Sequence, residues 1–379
     1  MSQLSTKNKK IRVFYNLKPW YRGRQWDAAT YAPECVQAVF PEVKKEEEGS
    51  KVRKPKFYSN LIPFNPLLIN VKEFRHVNAD LIYSFGGFVK NTKIPYVVEV
   101  DNPACFTYYS ALAFHNPIVM GSMRKYLNDG KLARLLPMSM ASKNGLLNAF
   151  GNHLEEKTEV VYPPLPDIPL SRDTSEDGPR FIFISYNFYI KGGREILKAL
   201  EKVKGKYSFT MVSDIPEKFM PIARKRGIRI HKKVERGILL SKVLPLNDVV
   251  VHPTYIDSFG IAPYECINAG LAGIGTDMYA IPEFIEHGKN GFIFKSPVDY
   301  FNDKFLPNLK FWLFTGVEAY AKSHEFPEVV DRLAEYIQYY IDNPKEMKKH
   351  KKHSVKLHNE KFALNIYQKK LGKIFRDII

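Results

Sequence analysis

Cysteine is scarce in this chain: Cys35, Cys105 and Cys266 are the only three in 379 residues, with no CxxC spacing and no histidine partners at metal-ligand distance. That excludes a disulfide framework and a zinc module, and suits a reducing, cytosolic compartment. Long apolar runs are also missing. After the polar, basic first ten residues, the apolar stretch reaches only from Ile11 to about Leu17 and is broken by Arg12 and Asn16, so no secretory leader is expected. The longest stretch without Asp, Glu, Lys or Arg, residues 102–123, holds Pro103, His115, Asn116 and Pro117, which a span of ~20 apolar residues would not accommodate. No short internal repeat, Walker loop or GxGxxG fingerprint occurs. Apolar residues make up 45% of the chain, with 26 Phe, 22 Tyr and 3 Trp, which excludes disordered and collagen-like classes. At ~150 residues per domain the length suggests two domains.

Acid is the minority charge, 40 Asp and Glu against 57 Lys and Arg, for a net +17. Residues 1–56 carry +7 and residues 345–379 carry +8, so the middle of the chain is almost neutral. An evenly basic surface would suggest nucleic acid; charge confined to two ends asks instead whether the fold brings those ends together. No recognised nucleic-acid module is present.

Short apolar runs spaced by amphipathic stretches predict alternating strands and helices, hence parallel sheets. The spacing predicts a strand over 11–15, a helix over 28–40, and strands at 81–83 and 96–98. The proline-rich stretch after Val160 and the polar run 171–178 read as a linker. A second series follows, with strands over 181–185, 207–212, 248–252, 273–276 and 291–294. Helices are expected over 193–203, around 265–270, over 327–341 and over 362–378. Residues 42–56 read as a solvated loop. The aromatic segment 297–328 reads as a local subdomain covering its own rings, with an acceptor or membrane patch as the alternative. In doubly wound folds ligands lie outside the carboxyl ends of strands, so the loops leaving strands are where chemistry is sought.

One such loop is Ser185-Tyr-Asn-Phe-Tyr-Ile-Lys191-Gly192-Gly193, between a strand and a helix. A lysine and two glycines at a helix start offer positive charge, close backbone approach and N–H donors, the requirements of a phosphate. The alternative is an ordinary turn with a surface lysine. A second is His252-Pro-Thr-Tyr-Ile-Asp257-Ser258-Phe259-Gly260-Ile261-Ala-Pro-Tyr-Glu265, with seven residues between the two acids. A helix carboxylate there can accept two ribose hydroxyls, and one in the loop a sugar hydroxyl. Both could equally be surface acids.

These two loops in this order, followed by Ala280-Ile-Pro-Glu283-Phe-Ile-Glu-His-Gly288-Lys-Asn-Gly291, resemble the donor half of the retaining glycosyltransferases of family 4, the glycosyl transferases group 1. The resemblance covers residues 134–296 and includes Leu135-Leu-Pro137-Met-Ser139; the first hundred residues match weakly. It implies an α/β GT-B fold, with two Rossmann-like domains facing across a cleft and a C-terminal helix crossing back. Residues 1–165 would be the acceptor-side domain, 166–355 the nucleotide-sugar donor domain and 356–379 the returning helix.

By the same resemblance the function is retaining transfer of a hexose from a UDP- or GDP-type sugar to a hydroxyl of a glycan, lipid or phosphorylated acceptor. A noncatalytic GT-B nucleotide- or sugar-binding protein is the alternative. Lys191 would neutralise the diphosphate, Asp257 face the transferred sugar and Glu265 hold the ribose. Gly192, Tyr186, Ser258, Phe259, Gly260 and Ile261 would complete the donor site. No tightly bound cofactor and no metal is expected, only the nucleotide sugar as co-substrate. Two departures stand out. Asp257 replaces the family's usual Glu, and Tyr186 stands where relatives carry an arginine. Arg236 or the loop around Arg22 and Arg24 is the candidate replacement cation.

In the first half, Asp101 or Glu99 occupies roughly the place of the family's catalytic histidine, and Arg22, Gly23 and Arg24 form a candidate acceptor or phosphate loop. His115 is a weaker candidate, more often a structural residue. If the last helix returns to the first domain, the basic ends would form one cationic face. That expectation favours a cytoplasmic enzyme peripheral to the inner, anionic membrane face, with no nucleic-acid partner.

Overall fold

The computed structural model of the chain describes residues 9–17, 23–41, 65–74, 77–172, 177–313 and 316–379. Two compact units divide it. The first comprises Met1–Pro166, Asp303–Leu309 and Ala363–Ile379, and the second Asp167–Asn302 and Lys310–Phe362.

In the first unit, strands β1 (Ile11–Tyr15), β2 (Val36–Val39), β4 (Leu81–Phe85), β6 (Tyr96–Val100) and β7 (Leu132–Pro137) form a parallel sheet in the order β2-β1-β4-β6-β7. Two short strands, β3 (Val71–Glu73) and β5 (Phe88–Lys90), pair separately and also in parallel. The central strands read as nearly unbroken apolar runs because helices and loops cover both sheet faces; every residue of β4 and β6 is buried. The expected helix over 28–40 is corrected. Its place is taken by a helix at Gly23–Thr30 followed by β2. Pro33 lacks an N–H and pushes Ala32 out of helical geometry, and Val36 and Val39 favour the extended chain.

The helix Leu364–Ile378 belongs to this unit and buries Tyr367, Leu371, Ile374 and Phe375 among Val13, Tyr15 and Ala28. Their 3–4-residue spacing places them on one stripe. Residues 303–309 also return here: Asn148 Nδ2 donates to the Lys304 carbonyl at 3.1 Å, and His115 Nε2 lies 3.3 Å from the Pro307 carbonyl. His115 therefore holds a chain segment in place.

The second unit's sheet runs β10 (Arg229–His231), β9 (Ser208–Val212), β8 (Arg180–Ile184), β11 (Val249–His252), β12 (Ala272–Thr276), β13 (Gly291–Phe294), all parallel. Renumbered within the unit this is 3-2-1-4-5-6, the dinucleotide-binding order, whose switch point falls between β8 and β11. The helices Gly193–Lys202 and Pro327–Asp342 pack together over a core that includes Phe181, Phe183, Leu197, Leu200, Leu333 and Ile337. The aromatic segment contributes Phe311 to this core and sets Phe301 against Tyr279, ring centroids 4.2 Å apart. The loop 42–56 and Phe314 lie outside the described residues.

The charge at the C-terminal end is divided between the units. Residues 345–362, with +5, belong to the second unit, and only the +3 of residues 363–379 belongs to the first. Within the first unit, only that +3 accompanies the N-terminal residues. The helix Pro344–Leu357, absent from the sequence reading, buries Met347, His350, Ser354 and Leu357 and turns Lys345, Lys348, Lys349, Lys352 and Lys356 outward.

Candidate active site

Both loops flanking the second unit's switch point carry the residues singled out from the sequence. After β8 the chain turns through Lys191 into the helix Gly193–Lys202, with Gly192 as its N-cap at φ 73°. A Cβ on Gly192 would sit 2.6 Å from both Pro253 Cγ and the Pro253 carbonyl oxygen, so only glycine fits both the conformation and the space. After β11 the chain passes Asp257 and enters the helix Ile261–Asn268 through Gly260, at φ 85°.

The two loops meet in an ion pair. Lys191 Nζ lies 2.6 Å from Asp257 Oδ2 and also donates to the Ile256 carbonyl. The other carboxylate oxygen, Oδ1, accepts the N–H of Gly260 at 2.8 Å and of Phe259 at 3.3 Å. A glutamate, one methylene longer, would not close this short turn onto its own backbone so readily; the aspartate therefore caps the helix start as well as meeting the lysine. The donors at Phe259 and Gly260, expected to face a ligand, are turned to Asp257. Ile261 and Ala262 hold the first-turn positions whose N–H groups a helix does not use internally. Phe259 is buried against Tyr264 and Phe284, and Ser258 lies in the bend before it.

His252, the last residue of β11, is buried, and its Nε2 lies 3.5 Å from Asp257 Oδ2. Neither ring nitrogen has a hydrogen-bond partner. Burial lowers its pKa and the Lys191 charge adds to this against the pull of Asp257, so the ring is held neutral. Burial works to raise the Asp257 pKa, but the Lys191 charge and the His252 contact outweigh it and hold the carboxyl well below its usual range.

Glu265, buried on its helix, is held by Arg236: Nε and Nη2 lie 2.7 and 2.6 Å from Oε1. Tyr186 reaches the same segment, its hydroxyl 3.4 Å from both the nitrogen and the carbonyl oxygen of Val234. Arg236 is thus bonded to the helix carboxylate. His252 and the partnership of Arg236 with Glu265 were not legible from sequence, since neither has a local spacing signal.

In the first unit, Arg22 lies outside the described residues, and Gly23 opens the helix Gly23–Thr30 on the surface. Arg24 forms an ion pair with Glu99, whose other oxygen accepts the Tyr83 hydroxyl at 2.8 Å. Asp101 accepts the Tyr109 hydroxyl, 3.0 Å from each carboxylate oxygen. Asn102, next to it, caps the following 3₁₀ turn at Pro103–Thr107, which leaves Asp101 directed to the tyrosine.

Residues 169–309, which contain both switch-point loops, match the family model described as glycosyl transferases group 1. Over these residues the chain is similar to the group 1 glycosyl transferases. Among curated proteins, an uncharacterized glycosyltransferase, MJ1607, of Methanocaldococcus jannaschii is 25% identical over 189 residues, a match covering 44% of this chain and 48% of that protein. The chain thus spans about half the length of that relative. A glycosyltransferase from Rickettsia africae ESF-5 superposes with a TM-score of 0.60 at 15% identity, covering 97% of this chain and 98% of the other. The Anabaena protein HepE, solved with UDP and glucose, gives 0.60 at 13% identity over 97% and 100%. Superposition along almost the full length of both structures identifies the fold as GT-B, with a Rossmann-like sheet in each unit.

Proposed function

We propose that the protein is a retaining, metal-independent glycosyltransferase that moves a hexose from a UDP- or GDP-type sugar to an acceptor hydroxyl. The observation that carries the reading is the meeting of Lys191 and Asp257 at the switch point, with Glu265 on the helix that follows. A diphosphate brings more negative charge to Lys191 than one carboxylate does. The ammonium then transfers from Asp257 to the phosphates and stabilises the charge that develops on them as the sugar leaves. Arg236 holds one oxygen of Glu265 and so fixes the carboxylate for a ribose. The bound ligands of HepE are consistent with a UDP-type donor.

Binding without turnover is the second reading. Both charged groups of the site, Lys191 and Glu265, are matched by partners within the protein, an arrangement stable without a substrate. Thermal protection and hydrolysis of a panel of nucleotide sugars separate the two. Transfer or hydrolysis that is lost in Glu265→Ala supports the enzyme, protection without product supports the binding protein, and no protection by any donor removes both. The outward lysines of Pro344–Leu357 support an anionic membrane as a docking surface, which cosedimentation with vesicles of increasing anionic lipid content tests.

A further inference from the structure

The first unit holds a second pocket, with a cavity of about 190 Å³ outside the carboxyl ends of β4 and β6. It falls below the ~300–1,000 Å³ of a typical drug-sized site and suits one small ring. Its charge is balanced. The lining cations among the described residues are Arg24, paired with Glu99, and Lys72, which donates to the Phe85 carbonyl at 2.6 Å and lies 3.3 Å from Ser84 Oγ. Against these stand the carboxylates of Glu99 and Asp101, so the wall carries two charges of each sign.

The remaining polar lining residues, Gln25, Asn70, Tyr108 and Tyr109, are neutral and can both donate and accept. Asn70 is 5% exposed, its amide nitrogen donates to the carbonyls of Gly86 and Cys105 at 2.7 and 3.0 Å, and its Oδ1 has no hydrogen-bond partner. The amide thereby ties the loop at Gly86 to the turn at Cys105 and holds the pocket floor in place. Two aromatic rings complete the wall. Tyr108 and Tyr109 hold φ of 51° and 65°, left-handed values that side-chain-bearing residues avoid, and are 42% and 46% exposed. Consecutive strained residues that present aromatic rings at a pocket are a functional signature when neighbouring structure maintains them. Here the Tyr109 hydroxyl is fixed on Asp101, and the backbone N–H groups of Tyr108 and Tyr109 are tied to Cys105 and Ala104.

Balanced charge, neutral polar groups that both donate and accept, and exposed rings fit a molecule rich in hydroxyls with an apolar C–H face and no charge of its own. We propose that this pocket binds a single uncharged sugar ring, stacked on Tyr108 and Tyr109 and hydrogen-bonded through its hydroxyls to Asp101. Taking that ring as the acceptor rests on the transfer reading above; the binding itself does not.

The test is saturation-transfer NMR on the full chain with methyl α- and β-glucosides, galactosides and mannosides, each beside its 6-phosphate. At least one neutral glycoside is expected to give a signal that falls at least fivefold in Asp101→Asn and in Tyr108→Ala and is kept in Lys191→Met. Its 6-phosphate is expected to bind no better. No signal from any neutral glycoside overturns the proposal. So does tighter binding of the phosphates, or a signal lost in Lys191→Met and kept in Asp101→Asn. Folding of each variant is checked by its thermal transition, and if Tyr108→Ala fails to fold, Tyr108→Phe, which keeps the stacking face, is expected to retain the signal. Glycoside binding without any nucleotide response removes only the transferase reading; the converse removes only this one.

Discussion

Replacing Lys191 with methionine removes one half of a largely buried ion pair. The Lys191 and Asp257 side chains are 14% and 21% exposed, so in Lys191→Met a carboxylate is left beside a neutral histidine. Breaking such a pair from one side costs ~3–5 kcal/mol when the remaining charge is fully buried. Asp257 keeps its two backbone N–H donors and some water, which places the expected cost at about 2–3 kcal/mol. For a unit of this size that lowers Tm by roughly 5–10 °C. Asp257→Asn keeps an acceptor for the Phe259 and Gly260 N–H groups, so Lys191→Met/Asp257→Asn should recover much of the loss, with a coupling of at least ~1 kcal/mol. UDP protection adds a second axis. Lys191→Met should abolish it, while Asp257→Asn, which releases Lys191, should keep or increase it. Thermal unfolding of the four proteins with and without UDP reads both. Additive effects within ~0.5 kcal/mol, or equal loss of UDP protection in the two single variants, would show that Lys191 and Asp257 are not coupled in this way.

Gly192→Ala should destabilise the second unit more than Gly260→Ala. The new Cβ meets Pro253 backbone and ring at 2.6 Å in the first and the movable tip of Ile281 at 2.5 Å in the second, and thermal shifts rank them. Arg236→Ala strands the buried Glu265 carboxylate and should cost about 2–4 kcal/mol, whereas Arg236→Ala/Glu265→Gln should be milder, by the same assay. Because His252 is held neutral in the folded chain, its contribution is complete above the unfolded histidine value of 6.5 and declines as pH falls below it, where the unfolded chain takes up the proton first. The Tm of wild type should therefore fall more steeply than that of His252→Gln between pH 6.5 and about 5; parallel slopes would count against it. The depressed Asp257 pKa acts in a lower window, contributing above its ordinary value of 3.8 and lost as pH falls below it.

What could be read from the sequence was what is written locally. β8, β11 and β13 are short apolar runs bounded by turn residues, and their loops carry Lys191, Gly192, Asp257 and Gly260 in order, so the switch-point site was visible before any fold. The helix misplaced over 28–40 shows the opposite limit, because Ala28, Ala29 and Ala38 favour a helix while Pro33 and the sheet neighbour β1 decide otherwise. Strands of three residues such as β3, β5 and β10 have too few positions for a period to register. Partners distant along the chain were invisible: Arg236 with Glu265, Arg24 with Glu99 and His252 beside Asp257 are made by the fold.

On the function proposed above, Lys191 and Glu265 hold a nucleotide sugar in the second unit. Isothermal titration with UDP-glucose, UDP-galactose, UDP-N-acetylglucosamine and GDP-mannose, on wild type, Lys191→Met and Glu265→Ala, measures this binding. At least one donor should bind the wild type, with its affinity falling at least tenfold, ~1.4 kcal/mol, in each variant. Donors that all fail to bind the wild type, or bind both variants equally well, would contradict it.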